Sequence, residues 1–219
     1  MKKANFVFLG PPASGKSTQG KKLAANLDYL YISSGELVKK AAAEEGKLNE
    51  EIKERFKKGI PQPDEVVNEL VEEEVKAAPE HNFILDSYPL SPGQCKHLDK
   101  MSQSLDLGEF WLIYIDLKEN EALQRMLRRK VCPICQKSYL PADHAYKLNQ
   151  CPDDKAQLTT RADDKAPVFE TRYREYETRV TAVKEYFQNR ARLIIIDGKP
   201  TIEEIHKKIL GELKKRSLM

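Results

Sequence analysis

Residues 10–18 read Gly-Pro-Pro-Ala-Ser-Gly-Lys-Ser-Thr, with the spacing G-x-x-x-x-G-K-S. An apolar run, Ala4 to Leu9, stands directly before it, and a Lys- and Ala-rich stretch of helical spacing, Gln19 to Leu27, directly after. Few folds take a chain from a buried strand into a helix through a turn that turns its N–H groups inward. Gly10 and Gly15 let the backbone bend that way. The helix that begins near Lys16 adds the positive end of its dipole. Lys16 brings a full charge to β- and γ-phosphates, and Ser17 a hydroxyl for Mg²⁺. The whole run, Gly10, Pro11, Pro12, Ala13, Ser14, Gly15, Lys16, Ser17 and Thr18, is read as a phosphate cradle.

Strand and helix signals then alternate, which predicts a parallel sheet covered by helices on both faces. Strands are expected at Tyr29–Ile32, Asn82–Asp86, Phe110–Asp116 and Leu193–Asp197. Helices are expected from Ser33-Ser34-Gly35 to about Glu45 with Ser34 as N-cap, then over Leu48–Lys58 (ended by Gly59), Asp64–Ala77, Glu119–Arg129, Glu170–Gln188 and Thr201–Lys214. A short helix is expected after the loop at Tyr88–Gly93. Ile60-Pro61-Gln62-Pro63 is a stiff connector. Residues 130 to about 165 break the alternation and hold three of the four cysteines.

The 219 residues suit one α/β domain with insertions, and a composition 40% hydrophobic and 32% charged suits a globular enzyme. A net charge of +3 with no isolated basic tract argues against a nucleic-acid partner. No apolar run is long enough to span a membrane, so no membrane partner is expected. No signal-peptide pattern opens the chain, and a cytoplasmic location is expected.

Asp86 follows Phe83-Ile84-Leu85 and falls at the carboxyl end of a parallel strand, the edge where α/β sheets bind ligands. A phosphate-loop enzyme needs a carboxylate there for Mg²⁺ or its water shell. Asp116 competes for the role, with a cap as its other reading. Cys132-Pro133-Ile134-Cys135 is followed by fifteen residues and then by Cys151-Pro152-Asp153-Asp154. With Asp154 in the fourth place this is a zinc spacing, and zinc accepts a carboxylate oxygen. Asp153 is the rival ligand; free thiols or a labile disulfide are the alternatives to a metal. Cys95 reads as a small buried residue. Arg125, Arg128 and Arg129 enter the cysteine segment, and Arg161 and Arg172 leave it. A lid that closes guanidinium groups over a transferring phosphoryl would use that arrangement.

Taken together, these residues resemble the adenylate kinases, in the long-lid form with structural zinc. The resemblance is carried by the phosphate loop, Ile32-Ser33-Ser34-Gly35, the cysteine segment, and Arg161-Ala162-Asp163-Asp164 with Arg172. It implies a three-layer α/β P-loop kinase with a parallel central sheet. The core would be 1–32, 65–129 and 166–219, with a helical monophosphate-binding insertion at 33–64 and a zinc lid at 130–165. It further implies ATP·Mg²⁺ as donor and a monomer. Lys16, Asp86, Arg129, Arg161 and Arg172 would be catalytic. Arg125, Arg129, Ser138, Tyr139 and Lys199 would join the phosphate loop on ATP. Ser34, Lys39, Ile60, Gln62, Ser87, Gln94, Arg161 and Arg172 would meet the monophosphate. Cys132, Cys135, Cys151 and Asp154 would hold zinc.

The acceptor half departs from the family's pattern. Leu90 stands where an arginine is usual, Lys39 replaces another and loses its fork, and Pro61-Gln62 replaces Leu-Val. Ala13 stands where glycine is usual in the loop. AMP is the expected acceptor. A pyrimidine or other nucleoside monophosphate, and a nucleotide-binding regulatory protein with little turnover, are the alternatives that Gln62 and Leu90 raise.

Overall fold

The structure, a computed structural model, describes residues 4–43, 47–58, 60–135, 137–141, 144–160 and 164–219. In chain order the elements are β1 (Asn5–Leu9), α1 (Lys16–Leu27), β2 (Leu30–Ser33), α2 (Ser34–Ala41), α3 (Lys47–Lys58), α4 (Asp64–Lys76), β3 (Phe83–Asp86) and α5 (Pro92–Ser104). They continue with β4 (Phe110–Asp116), α6 (Glu119–Arg128), β5 (Lys130–Val131), β6 (Ser138–Tyr139), α7 (His144–Leu148), α8 (Ala166–Gln188), β7 (Leu193–Asp197) and α9 (Ile202–Lys215). The central sheet runs β2-β3-β1-β4-β7, and every pairing in it is parallel.

Side chains alternate across a strand, so each strand feeds two cores. Val7, Leu9, Phe83, Leu85 and Leu112 face one side, where α2, α4, α5 and α8 pack. Phe6, Phe8, Ile84, Ile113 and Ile196 face the other, against Leu23 of α1 and Ile205, Ile209 and Leu213 of α9. This makes the expected three layers. Each fully buried side chain of this kind contributes about 1.5–3 kcal/mol.

Several boundaries shift by one residue from the sequence reading, and two differences say more. The cap of α2 is Ser33, not Ser34: Ser33 is extended and its hydroxyl accepts from the Glu36 N–H at 3.4 Å. Ser34 instead turns inward and donates to the Ser87 carbonyl at 2.8 Å. Helix α8 starts at Ala166 rather than Glu170, because Pro167 sits in its first turn, where a missing N–H costs nothing. Gly59, expected to end α3, and Glu45, the expected end of α2, lie outside the described residues. No helix among the described residues is long and apolar enough to cross a membrane.

Buried Asn5 fixes where the central strands begin. Its amide donates to the Leu107 carbonyl at 2.7 Å and accepts from the Phe83 N–H at 2.6 Å. Asn5→Ala leaves that N–H and carbonyl buried without partners. Each costs about 1–3 kcal/mol, so urea unfolding is expected to lose roughly 2–4 kcal/mol of stability; a change below about 0.5 kcal/mol would contradict this role.

Candidate active site and lid metal cluster

The parallel register brings three strand ends to one edge. Phe8 pairs with Asp86 across β1 and β3, and Asp86 with Ser33 across β3 and β2. The phosphate loop leaves β1 beside them. A Cβ on Gly10 would lie 2.6 Å from both the Ile115 carbonyl oxygen and Ser14 Oγ, so no larger residue fits. Gly15 has φ +92°, and Ala13 occupies the left-handed region at φ +62° without being glycine. The N-terminus of α1 has no side-chain cap and no acid in its first turn. Its orphan N–H groups and dipole therefore face the loop uncompensated by carboxylate. Ser14 Oγ is buried with no partner among the described residues. These features fit a bound phosphate.

Lys16 is partly buried, with Nζ 3.5 Å from the Pro11 carbonyl. Desolvation lowers its pKa; Asp86 pulls the value back up, and Arg129 and Arg172 push it down. Four of the five expected catalytic residues are thus within electrostatic reach of one another. Arg161, the fifth, lies outside the described residues. Asp86 is 1% exposed, and its Oδ2 accepts from the Tyr31 hydroxyl at 2.5 Å. Burial first, and then the Asp86 carboxylate, hold the Tyr31 phenol well above its ordinary range, while the nearby Ser17 hydroxyl acts the other way. Ser17 and Asp86 thus both act on Tyr31. Asp116, the competitor, is exposed.

Beside the loop lies a cavity of about 270 Å³. Its wall includes Lys16, Ser34, Ile60, Gln62, Ser87, Leu90, Gln94 and Arg172, all but one of the acceptor-side residues expected within the described chain. The exception is Lys39, which is exposed on α2 and does not line the wall. Gln94 is 2% exposed and already engaged. Its Oε1 accepts from the Leu90 N–H at 2.6 Å and its Nε2 donates to Asp64 Oδ1 at 3.0 Å. Each end of the amide keeps one further bonding site. Gln62 donates to the Ile52 carbonyl at 3.0 Å, and its Oε1 has no partner among the described residues. Leu90 packs against the core.

On the donor side, Arg125 donates to the Lys199 carbonyl at 3.0 Å, joining α6 to the turn after β7. Arg129 makes a bidentate pair with Asp164, Nε to Oδ2 and Nη2 to Oδ1, both 2.5 Å. Ser138 and Tyr139 form β6, paired antiparallel with β5. Ser138 is exposed, whereas the Tyr139 hydroxyl turns onto Cys151 Sγ at 3.3 Å.

The ligand atoms of Cys132, Cys135, Cys151 and Asp154 lie within 4.8 Å of one another. Cys135 Sγ and Cys151 Sγ are 3.7 Å apart, and all four cysteines are free thiols. Two sulfurs about 2.3 Å from a tetrahedral zinc are separated by roughly 3.8 Å. The Ile134 and Cys135 N–H groups donate to Cys132 Sγ at 3.3 and 3.4 Å, as a thiolate favours. Asp154 is held down to about 2 by the Cys132 thiol and the Ala156 N–H. Asp153 is turned away and pairs with Lys137. The donor set fits zinc.

The sequence model of the adenylate kinase family matches residues 8–192. The adenylate kinase of Thermosipho africanus is 32% identical over 216 residues, covering 96% of this chain and all of the relative. That of Fervidobacterium nodosum is 33% identical over 217 residues, 97% of this chain and all of the relative. That of Kosmotoga olearia is 33% identical over 212 residues, covering 96% and 99%. The chain belongs to the adenylate kinase family. Its parallel sheet, phosphate loop and strand-end carboxylate are those of a phosphotransferase enzyme.

Sequence reasoning missed several residues at this family site: Tyr31 between Ser17 and Asp86, Asp64 under Gln94, and Tyr176 and Arg179 in the cavity wall. Spacing alone could have found the last two, since Arg172, Glu175, Tyr176 and Arg179 stand at i, i+3, i+4 and i+7 on one helix face. Asp86→Asn removes the attraction that raises the Lys16 pKa. Its amine is therefore expected to titrate at lower pH than in the unaltered protein, followed by lysine ¹³Cε shifts. A midpoint unchanged or raised would contradict the arrangement.

Proposed function

We propose that the chain transfers the terminal phosphoryl group of ATP to AMP, reversibly, giving two ADP. The cavity carries this reading: it adjoins the phosphate loop and shares Lys16 with it, while Arg172 and Arg179 add cations to its wall. Two anionic ligands can thus approach the same lysine from different sides.

In this reading the segment at 33–64 covers the monophosphate and 130–165 covers ATP, on a core of 1–32, 65–129 and 166–219. The loop N–H groups and Lys16 hold the donor phosphates, and Arg125 with the Lys199 backbone meets the base end. An acceptor phosphate oxygen forms a bond to the γ-phosphorus as the bond to the β,γ-bridging oxygen breaks. The oxygen left behind stays on ADP. No general base is needed, since the acceptor is already an anion. The chain's task is positioning and charge stabilisation. Lys16, Arg129 and Arg172, with Arg161 by resemblance, neutralise the moving group. Ser17 and Asp86 would hold Mg²⁺ directly or through its water, and the ion supplies further charge to the phosphoryl oxygens. Tyr31 keeps the Asp86 carboxylate oriented. Residues of both sites come from one chain, which supports a monomer. Four free thiols suit a reducing compartment, which supports a cytoplasmic setting.

A coupled assay with ATP·Mg²⁺ against AMP, UMP, CMP, GMP and dAMP tests the acceptor. The highest kcat/KM is expected with AMP, and Lys16→Ala is expected to lose at least about 10²–10³-fold with its circular dichroism unchanged. A pyrimidine preference, no turnover with any acceptor, or full activity in Lys16→Ala would overturn the proposal.

We also propose one structural zinc in the lid, on Cys132, Cys135, Cys151 and Asp154. Metal analysis of protein purified without chelator is expected to find about one zinc per chain. Asp154→Ala should lower that content, while Asp153→Ala should retain it. No zinc in the unaltered protein, or equal retention in both variants, would refute this ligand set.

A further inference from the structure

The loop from Ser87 to Ser91 forms one wall of the acceptor cavity and brings no cation to it, because Leu90 packs against the core. The cation joined to this wall by hydrogen bonds comes from another part of the chain. Arg179 of α8 lines the same cavity and donates from Nη2 to Asp64 Oδ1 at 2.9 Å. The same Oδ1 accepts from Gln94 Nε2 at 3.0 Å, and Gln94 Oε1 accepts from the Leu90 N–H at 2.6 Å. Two shared partners therefore connect the guanidinium to the Leu90 backbone. Asp64 Oδ2 accepts from the Ser91 hydroxyl as well, so one carboxylate aligns Arg179, Gln94 and the end of the loop.

We propose that Arg179 holds the phosphate of the acceptor nucleotide, supplying from α8 the guanidinium that the 87–91 loop lacks. This rests on the reading of the cavity as the monophosphate site. Charge balance supports it. The wall carries Lys16, Arg172 and Arg179 against Glu175 in the lining and Asp64 behind Arg179, which leaves one cation in excess. A phosphate monoester brings about 1.5–2 negative charges at neutral pH, and Lys16 is shared with the donor. Stability is weak ground for the pair: the side chains of Arg179 and Asp64 are 25% and 24% exposed, and ion pairs this open to water add little. A planar fork can give two N–H groups to a phosphate while a third stays on Asp64.

Arg179→Met and Arg179→Lys test this, with the binding of AMP compared with that of adenosine. Arg179→Met is expected to raise KM for AMP at least tenfold while KM for ATP moves less than twofold. AMP affinity should fall and adenosine affinity hold. Arg179→Lys keeps the ion pair with Asp64 and should give an intermediate KM at unchanged Tm, which separates the effect from loss of fold. Leu90→Arg placed in the Arg179→Met background should recover much of the loss. An unchanged KM for AMP in Arg179→Met, or equal losses for AMP and adenosine, would overturn the assignment. Absence of AMP turnover in the unaltered protein would overturn the acceptor reading itself, and this assignment with it.

Discussion

The parallel register of β2, β3 and β1 is the constraint on which the site depends. Parallel strands start together and end together, so one choice of register aligns everything that follows them. Phe8 opposite Asp86, and Asp86 opposite Ser33, deliver the phosphate loop, a carboxylate and the start of α2 to one edge. A slip of one residue would turn Phe83 and Leu85 to the α1 side and Asp86 away from the loop. Asn5 guards against that slip by bonding the first N–H of β3 from within β1. The close approach of Gly10 to the Ile115 carbonyl ties the loop to β4 on the other side.

Much of this was legible in the chain because the signals are local. Short apolar runs bounded by turn residues marked β1, β3, β4 and β7, and both buried faces follow from period-two alternation. The cysteine cluster was legible for the same reason: paired groups within a few residues need only a tight turn, and Asp154 falls beside the cysteines where Asp153 does not. The illegible parts are contacts between distant elements. Asp64 and Arg179 lie on helices whose charges read as solvated faces, and nothing in either segment announces the other. Tyr31 looked like one more residue of a short strand until β3 set Asp86 beside it. Tyr139, which the resemblance assigns to ATP, packs against a small core of Cys132, Cys151 and Leu158, a contact that its position in the sequence does not announce.

Electrostatics at this site are a matter of congestion. Burial, Arg129 and Arg172 all push the Lys16 pKa down, and Asp86 is the counterweight that raises it. Such a cluster is costly to assemble and is relieved by anions. Ala13 adds a smaller local cost, since the left-handed region is unfavourable for any residue with a Cβ. The loop holds this conformation because its two ends, β1 and α1, are fixed by the core.

The Arg129–Asp164 pair has a mechanical consequence. Arg129 stands just before the cysteine segment and Asp164 near its end, and their side chains are 15% and 3% exposed. Parting them would strand a buried carboxylate, at a cost of roughly 3–5 kcal/mol. The two ends of the cysteine segment are thus bolted to each other. Val131 and Thr159 lace them again just above, through N–H to carbonyl bonds of 2.7 and 2.9 Å. A structure fastened in this way cannot splay its legs. The fastening itself is a guanidinium close enough to Lys16 to push that lysine's pKa down, so the base of the segment carries charge toward the phosphate loop.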